Sequence, residues 1–179
     1  MAEFPQIKVT HNIGNTIEIP NQVDVRASTY LSSNIGFLAT SLPVDNATDF
    51  TNGTAHILVS TIGSENSEIV LSSGQSIQAI AVSSTRVLHN RGDIVQEINF
   101  DQVSVFSSPT IDGAYTLVGT STFQVTQQNT IIFHAAGTAT TFYKIQWKNS
   151  VTSAVSDFSD PISVSTYDPK SVAQTIFCP

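Results

Sequence analysis

The chain has 179 residues, enough for one large or two small domains with a real core. Charged residues make up 12% of it, about half the usual globular share, and the net charge is −7 with only seven Lys plus Arg. With those few bases scattered from Lys8 to Lys170, there is no footprint to displace phosphate counterions or to hold an anionic bilayer, which excludes nucleic acid and membrane as partners.

Helical periodicity is nearly absent, and short β-rich runs alternate with Gly, Asn, Asp, Ser and Pro. The expected fold class is therefore all-β, built of two small β segments. Residues 1–20 alternate only at Ile17 and Ile19 and stop at Pro20, which reads as an extended N-terminal arm or a peripheral strand. An N-terminal β domain is expected over 21–90, with strands near Val23–Thr29, Gly36–Ser41, Ala55–Ser60, Glu68–Ser72 and Ser76–Val82. Asn52-Gly53 is a tight-turn dipeptide because both residues tolerate positive φ, and Ser60–Glu68 reads as a turn. The polar stretch 83–93 marks the boundary.

The second segment, 91–168, is expected to hold strands at Ile94–Phe100, Gln102–Phe106, Ala114–Gly119, Phe123–Val125, Thr130–Phe133, Thr141–Lys148 and Pro161–Tyr167. Thr141–Lys148 alternates most strictly: Tyr143, Ile145 and Trp147 face one way, and Lys144, Gln146 and Lys148 the other, as in a half-buried strand. Residues 169–179 form a C-terminal tail carrying Cys178, a lone thiol, so packing and not disulfides must supply stability. No basic start or apolar run opens the chain, and the expectation is a protein made in the cytoplasm without a signal peptide.

No constellation carries catalysis. His11, His56, His89 and His134 are far apart in sequence, Glu65 and Glu68 read as surface charges beside a hairpin turn, and there is no nucleophile elbow or phosphate loop. Arg91-Gly92-Asp93 spells an adhesion tripeptide but reads as a turn feeding a strand; Asn46 and Asn52 match glycosylation acceptors but read as unmodified turn residues. No catalytic, cofactor-binding or metal residue is assigned, no cofactor is expected, and the protein is read as a non-enzyme.

Two stretches resemble known proteins. Tyr143-Lys-Ile-Gln-Trp-Lys-Asn-Ser150 with Ser156-Asp-Phe-Ser-Asp-Pro-Ile162 is similar to the last two strands of a fibronectin type III/Ig-like β-sandwich, and Asp112–Val118 fits the turn and strand of such modules. Leu42–Phe50, Gly53, Ile57–Val59 and Gly63–Val70 resemble a pattern that precedes a fibronectin-like half in tailed-phage virion proteins. The resemblance spans roughly residues 36–165. It implies a virion structural protein, capsid decoration or neck and head–tail connection. Its implied partners are other virion proteins (capsid, portal or neck, tail), with a homo-oligomer on the particle. A receptor- or glycan-binding adhesion module is the alternative.

Overall fold

The computed structural model describes residues 4–164 and is all-β. In chain order the strands are β1 (Lys8–Asn12), β2 (Gly14–Pro20), β3 (Val25–Tyr30), β4 (Ser41–Pro43), β5 (His56–Val59), β6 (Glu68–Ser76), β7 (Ala79–Val82), β8 (Ile94–Ile98), β9 (Gln102–Ser108), β10 (Thr116–Thr122), β11 (Asn129–His134), β12 (Phe142–Lys148) and β13 (Ile162–Ser163).

They form two bodies. Sheets β1-β2-β11 and β10-β9-β12-β13, all antiparallel, face each other as a sandwich. Alternation along β12 explains why: Tyr143, Ile145 and Trp147 are buried and meet Val9, Ile17 and Ile19 of the opposite sheet in one apolar cluster. The other body is a six-stranded antiparallel sheet of order β3-β8-β5-β6-β7-β4. It curls on itself: the bridge Leu31↔Val44, with Ser32 N–H donating to Pro43 O and Asp45 N–H to Tyr30 O, joins the two outermost strands at one end. A bulge in β6 between Ser72 and Gly74 supplies part of the bend. Leu31, Leu42, Val44, Phe50, Ile57, Val59 and Ile80 fill the interior.

The curled sheet interrupts the sandwich. The chain leaves after β2, builds β3 to β8, and returns as β9 beside β12. Leu58 of β5 and Ile98 of β8 join the sandwich's core cluster, so apolar packing holds the two bodies together.

Several expectations differ from this arrangement. Of the two readings of residues 1–20, the peripheral strand holds for β1, an edge strand, and the extended arm does not. Residues 8–20 form a hairpin whose second strand lies between β1 and β11, because Val9, Ile17 and Ile19 supply the buried face that the sandwich needs. The boundary at 90/91 does not divide the sheets, since β8 pairs with β3 and β5 inside the curled sheet. Stretch 83–93 is a loop within that sheet, connecting β7 to β8. Gly36–Ser41 is a strand only from Ser41, the backbone turning at Leu38 with φ 59°. Phe123 and Val125 are buried but lie outside any strand, each held by a single backbone hydrogen bond: Phe123 N–H donates to Asp101 O at 2.9 Å, and Gly63 N–H donates to Val125 O at 2.8 Å. Gly53 lies in a bend without positive φ, so Asn52-Gly53 is no hairpin turn. Of Pro161–Tyr167, Ile162–Ser163 pairs with β12; residues 165–179, including the tail and Cys178, lie outside the described residues.

Candidate docking surface

The two loops at one end of the curled sheet, 32–40 between β3 and β4 and 83–93 between β7 and β8, pair side by side. Ile35 and His89 exchange backbone hydrogen bonds of 3.0 and 3.1 Å, and Leu38 N–H donates to Thr85 O at 2.9 Å. Thr85, wholly buried, pins both strands of the loop: its hydroxyl donates to Gly36 O at 2.8 Å and accepts from Ala39 N–H at 3.1 Å. Arg91 N–H donates to Asn34 Oδ1, which ties the far side.

On this braced frame three large apolar side chains face solvent: Phe37 at 62% exposure, Leu38 at 74% and Leu88 at 57%. The ladder register places Leu88 opposite Gly36, the residue before Phe37. A leucine at positive φ costs roughly 1 kcal/mol or more and persists only where its surroundings over-determine it. Here the hydrogen bonds of Leu38, Ala39 and Thr85 do so. The same 83–93 loop carries two exposed arginines, Arg86 and Arg91, in an otherwise acidic chain; Arg86 lines a cleft with Glu65, Glu68 and Thr122–Thr126.

Beneath the tip lies a buried polar brace. Glu68, expected at the surface, is 8% exposed, because it satisfies donors that the cap would otherwise bury unpaired. Its carboxylate accepts Nε2–H of His89 at 2.8 Å and Arg86 N–H at 2.9 Å. Glu65 remains exposed. Asp93 accepts from Asn90 N–H and Asn66 Nδ2 and sits 3.7 Å from His89 Nδ1. In the Arg91-Gly92-Asp93 tripeptide, Arg91 and Gly92 form the turn into β8 and the Asp93 carboxylate is thus engaged internally.

A second cluster joins residues that look unrelated in sequence. His56 of β5, Asp101 before β9 and Ser150 after β12 meet where the two bodies touch. Ser150 Oγ donates to Asp101 Oδ2 at 2.7 Å, while His56 Nε2 lies 3.1 Å from Asp101 Oδ1 and 3.3 Å from Ser150 Oγ. A nucleophilic relay needs the acid on one ring nitrogen and the hydroxyl on the other, with the serine proton aimed at histidine. Here both partners crowd Nε2 and the hydroxyl proton goes to the carboxylate, so the set works as a clip. The remaining histidines flank Tyr143: His134 Nδ1 is 2.9 Å from its hydroxyl and His11 Nδ1 is 2.7 Å from Asn15, which donates to the same hydroxyl. Burial pushes the Tyr143 phenol above its ordinary value. Among the described residues, no three His, Cys, Asp or Glu side chains converge as metal ligands do.

The clip has a pH consequence. Burial holds the His56 imidazole below 6.5, against the opposing pull of Asp101. As pH falls through 6.5, the unfolded chain takes a proton there that the folded chain resists. This contribution to stability is complete above that pH and is lost below it, at up to about 1.4 kcal/mol per pH unit. Denaturant unfolding of the parent and of His56→Gln, between about pH 7.5 and 5.5, should show a shallower loss in the variant; equal slopes would remove the assignment.

The exposed tip was not legible from sequence. Gly36–Ser41 reads as a strand, which hides the turn at Phe37 and Leu38; only the neighbouring Ser32, Ser33, Asn34 and Gly36 hint at a loop. Comparison with protein-family models, with curated proteins and with solved structures gives no match for the chain.

Proposed function

We propose that this chain is a non-enzymatic structural component of a tailed-phage particle, docked by protein–protein contacts on the capsid exterior or at the neck and head–tail region. The single observation carrying a docking role is the tip: three large apolar side chains exposed on a hydrogen-bonded frame. A preorganised apolar contact loses little entropy on binding, which is how a small surface attains useful affinity. The partner surface that complements it is an apolar pocket on a shell, portal, neck or tail protein. The virion setting comes from the resemblance of residues 36–165, whose fibronectin-like portion ends on β12 and β13. The low charge and the absence of paired cysteines suit a particle protein made in the host cytoplasm. The adhesion alternative would need an aromatic platform; Trp147 is buried, and the exposed rings Tyr30, Phe37, Phe133 and Phe158 sit on separate elements.

The test is incorporation. A Phe37→Ser, Leu38→Gly, Leu88→Ser variant should fold as well as the parent, since glycine relieves the positive φ of Leu38. Its copy number on purified particles, by quantitative mass spectrometry, should fall about tenfold or more. Unchanged occupancy would reject the tip as the contact, and absence of the parent from particles would reject the virion reading.

A further inference from the structure

The sheet edges of this protein differ in how they are guarded. An exposed strand edge is a template for pairing, and natural edges are usually blunted by charge, proline, bulges or shortness. Among the described residues, β1 carries Lys8, paired with Glu18. β10 is interrupted by a register shift between Leu117 and Gly119. β13 is two residues long and follows Pro161. β3 and β4 meet each other.

β11 has none of these devices. Its sequence, Asn129-Thr-Ile-Ile-Phe-His134, contains no charged residue and no proline, and it pairs with β2 in unbroken register from Asn129↔Pro20 to His134↔Asn15. Among the described residues, its other side is the edge of the three-stranded sheet. Ile131 is 48% exposed and Phe133 58% on the outer face, with the Phe133 ring over Gly14, where a side-chain carbon would come within 2.9 Å of it. Next to Gly14, the turn residue Ile13 is 86% exposed. Ile132, on the inner face, packs against the sandwich core.

We propose that β11 is a homodimer seam, pairing antiparallel with β11 of a second copy about a two-fold axis at Ile132. The strand is self-complementary in that register. Residues directly opposed in a ladder must lie on the same face, so the axis must fall on a residue and not between two. Centred on Ile132, it sets Ile131 opposite the partner's Phe133 and Phe133 opposite the partner's Ile131. These two apolar cross-strand pairs lie on the outer face, while Ile132 meets its own mate beside the core. Shifting the axis to Ile131 or Phe133 instead sets Phe133 against Asn129 or Ile131 against Ala135. The uncharged strand lets two copies of net charge −7 approach without like charges across the seam. An isologous two-fold contact of this kind is the commonest route to a closed oligomer.

The inference does not rest on the virion reading, and it is tested on the purified full chain in solution. Sedimentation velocity from micromolar to several hundred micromolar should show a monomer–dimer equilibrium. The Ile131→Lys, Phe133→Lys double variant should weaken the dimer about 100-fold or more while keeping the parent's far-UV circular dichroism and, at concentrations where both are monomeric, its unfolding midpoint. An equimolar mixture with Ile131→Glu, Phe133→Glu should restore a dimer, because the proposed register sets each new lysine opposite a glutamate. A parent that stays monomeric throughout, a dimer indifferent to the lysines, or a mixture that does not reassociate would each overturn the seam. The tip variant Phe37→Ser, Leu38→Gly, Leu88→Ser should dimerise like the parent, so failure at the tip and failure at the seam read out separately.

Discussion

Truncating Trp147 to alanine will lower the unfolding free energy by about 3–5 kcal/mol, as expected for a large aromatic removed from a packed core. The side chain is 3% exposed and lies between two other rings. Phe4 stacks on it at 5.6 Å between centroids, and Phe123 meets it edge-on at 5.4 Å. Aromatic pairs of this geometry contribute beyond their buried area, and alanine would leave a void that neither ring fills. Its backbone N–H, bonded to Ser156 Oγ at 3.0 Å, is untouched by the substitution, so the loss belongs to packing. Urea unfolding followed by far-UV circular dichroism checks it, with Phe37→Ala as the exposed control, expected within about 0.5 kcal/mol of the parent. A Trp147 effect no larger than that of Phe37 would mean that the sandwich core is assigned wrongly.

Deleting residues 1–20 will abolish cooperative folding of the sandwich. The hairpin of β1 and β2 carries Val9, Ile17 and Ile19, all fully buried, and β2 is the middle strand of its sheet. Each such side chain contributes about 1.5–3 kcal/mol by burial, and a whole domain retains only about 5–15 kcal/mol. The ladder to β11 goes with them, exposing the inner face of β12. Trp147 is the only tryptophan, so its emission reports the outcome directly. The deleted chain should emit as solvent-exposed tryptophan and lack a sigmoidal unfolding transition. An arm merely attached to the surface would leave both intact, and that result would refute the pairing of β2 with β11.

The exposed and buried faces of individual strands are written in the sequence, and their partners are not. Strict alternation at Tyr143, Ile145 and Trp147 identified the buried face of β12, since period-two burial is a local property of the chain. The scarcity of helical periodicity likewise established the all-β class. The exposed tip escaped because its frame depends on Thr85 reaching Gly36 and Ala39, contacts between residues more than forty positions apart. The burial of Glu68 escaped for the same reason: its partner His89 lies 21 residues along the chain, and nothing beside Glu68 signals the need for a buried acceptor.

The sequence by itself thus determined the class of structure, the lack of a disulfide among the residues of a one-cysteine chain, and which side of β12 faces inward. Tertiary structure alone decided that residues 8–20 belong to the sandwich, that β8 belongs to the curled sheet, and that Phe37, Leu38 and Leu88 stand in solvent. Alternation tells a strand which face to bury, but β2 finds β11 across an entire intervening sheet. Only the shape of the assembled core selects that partner.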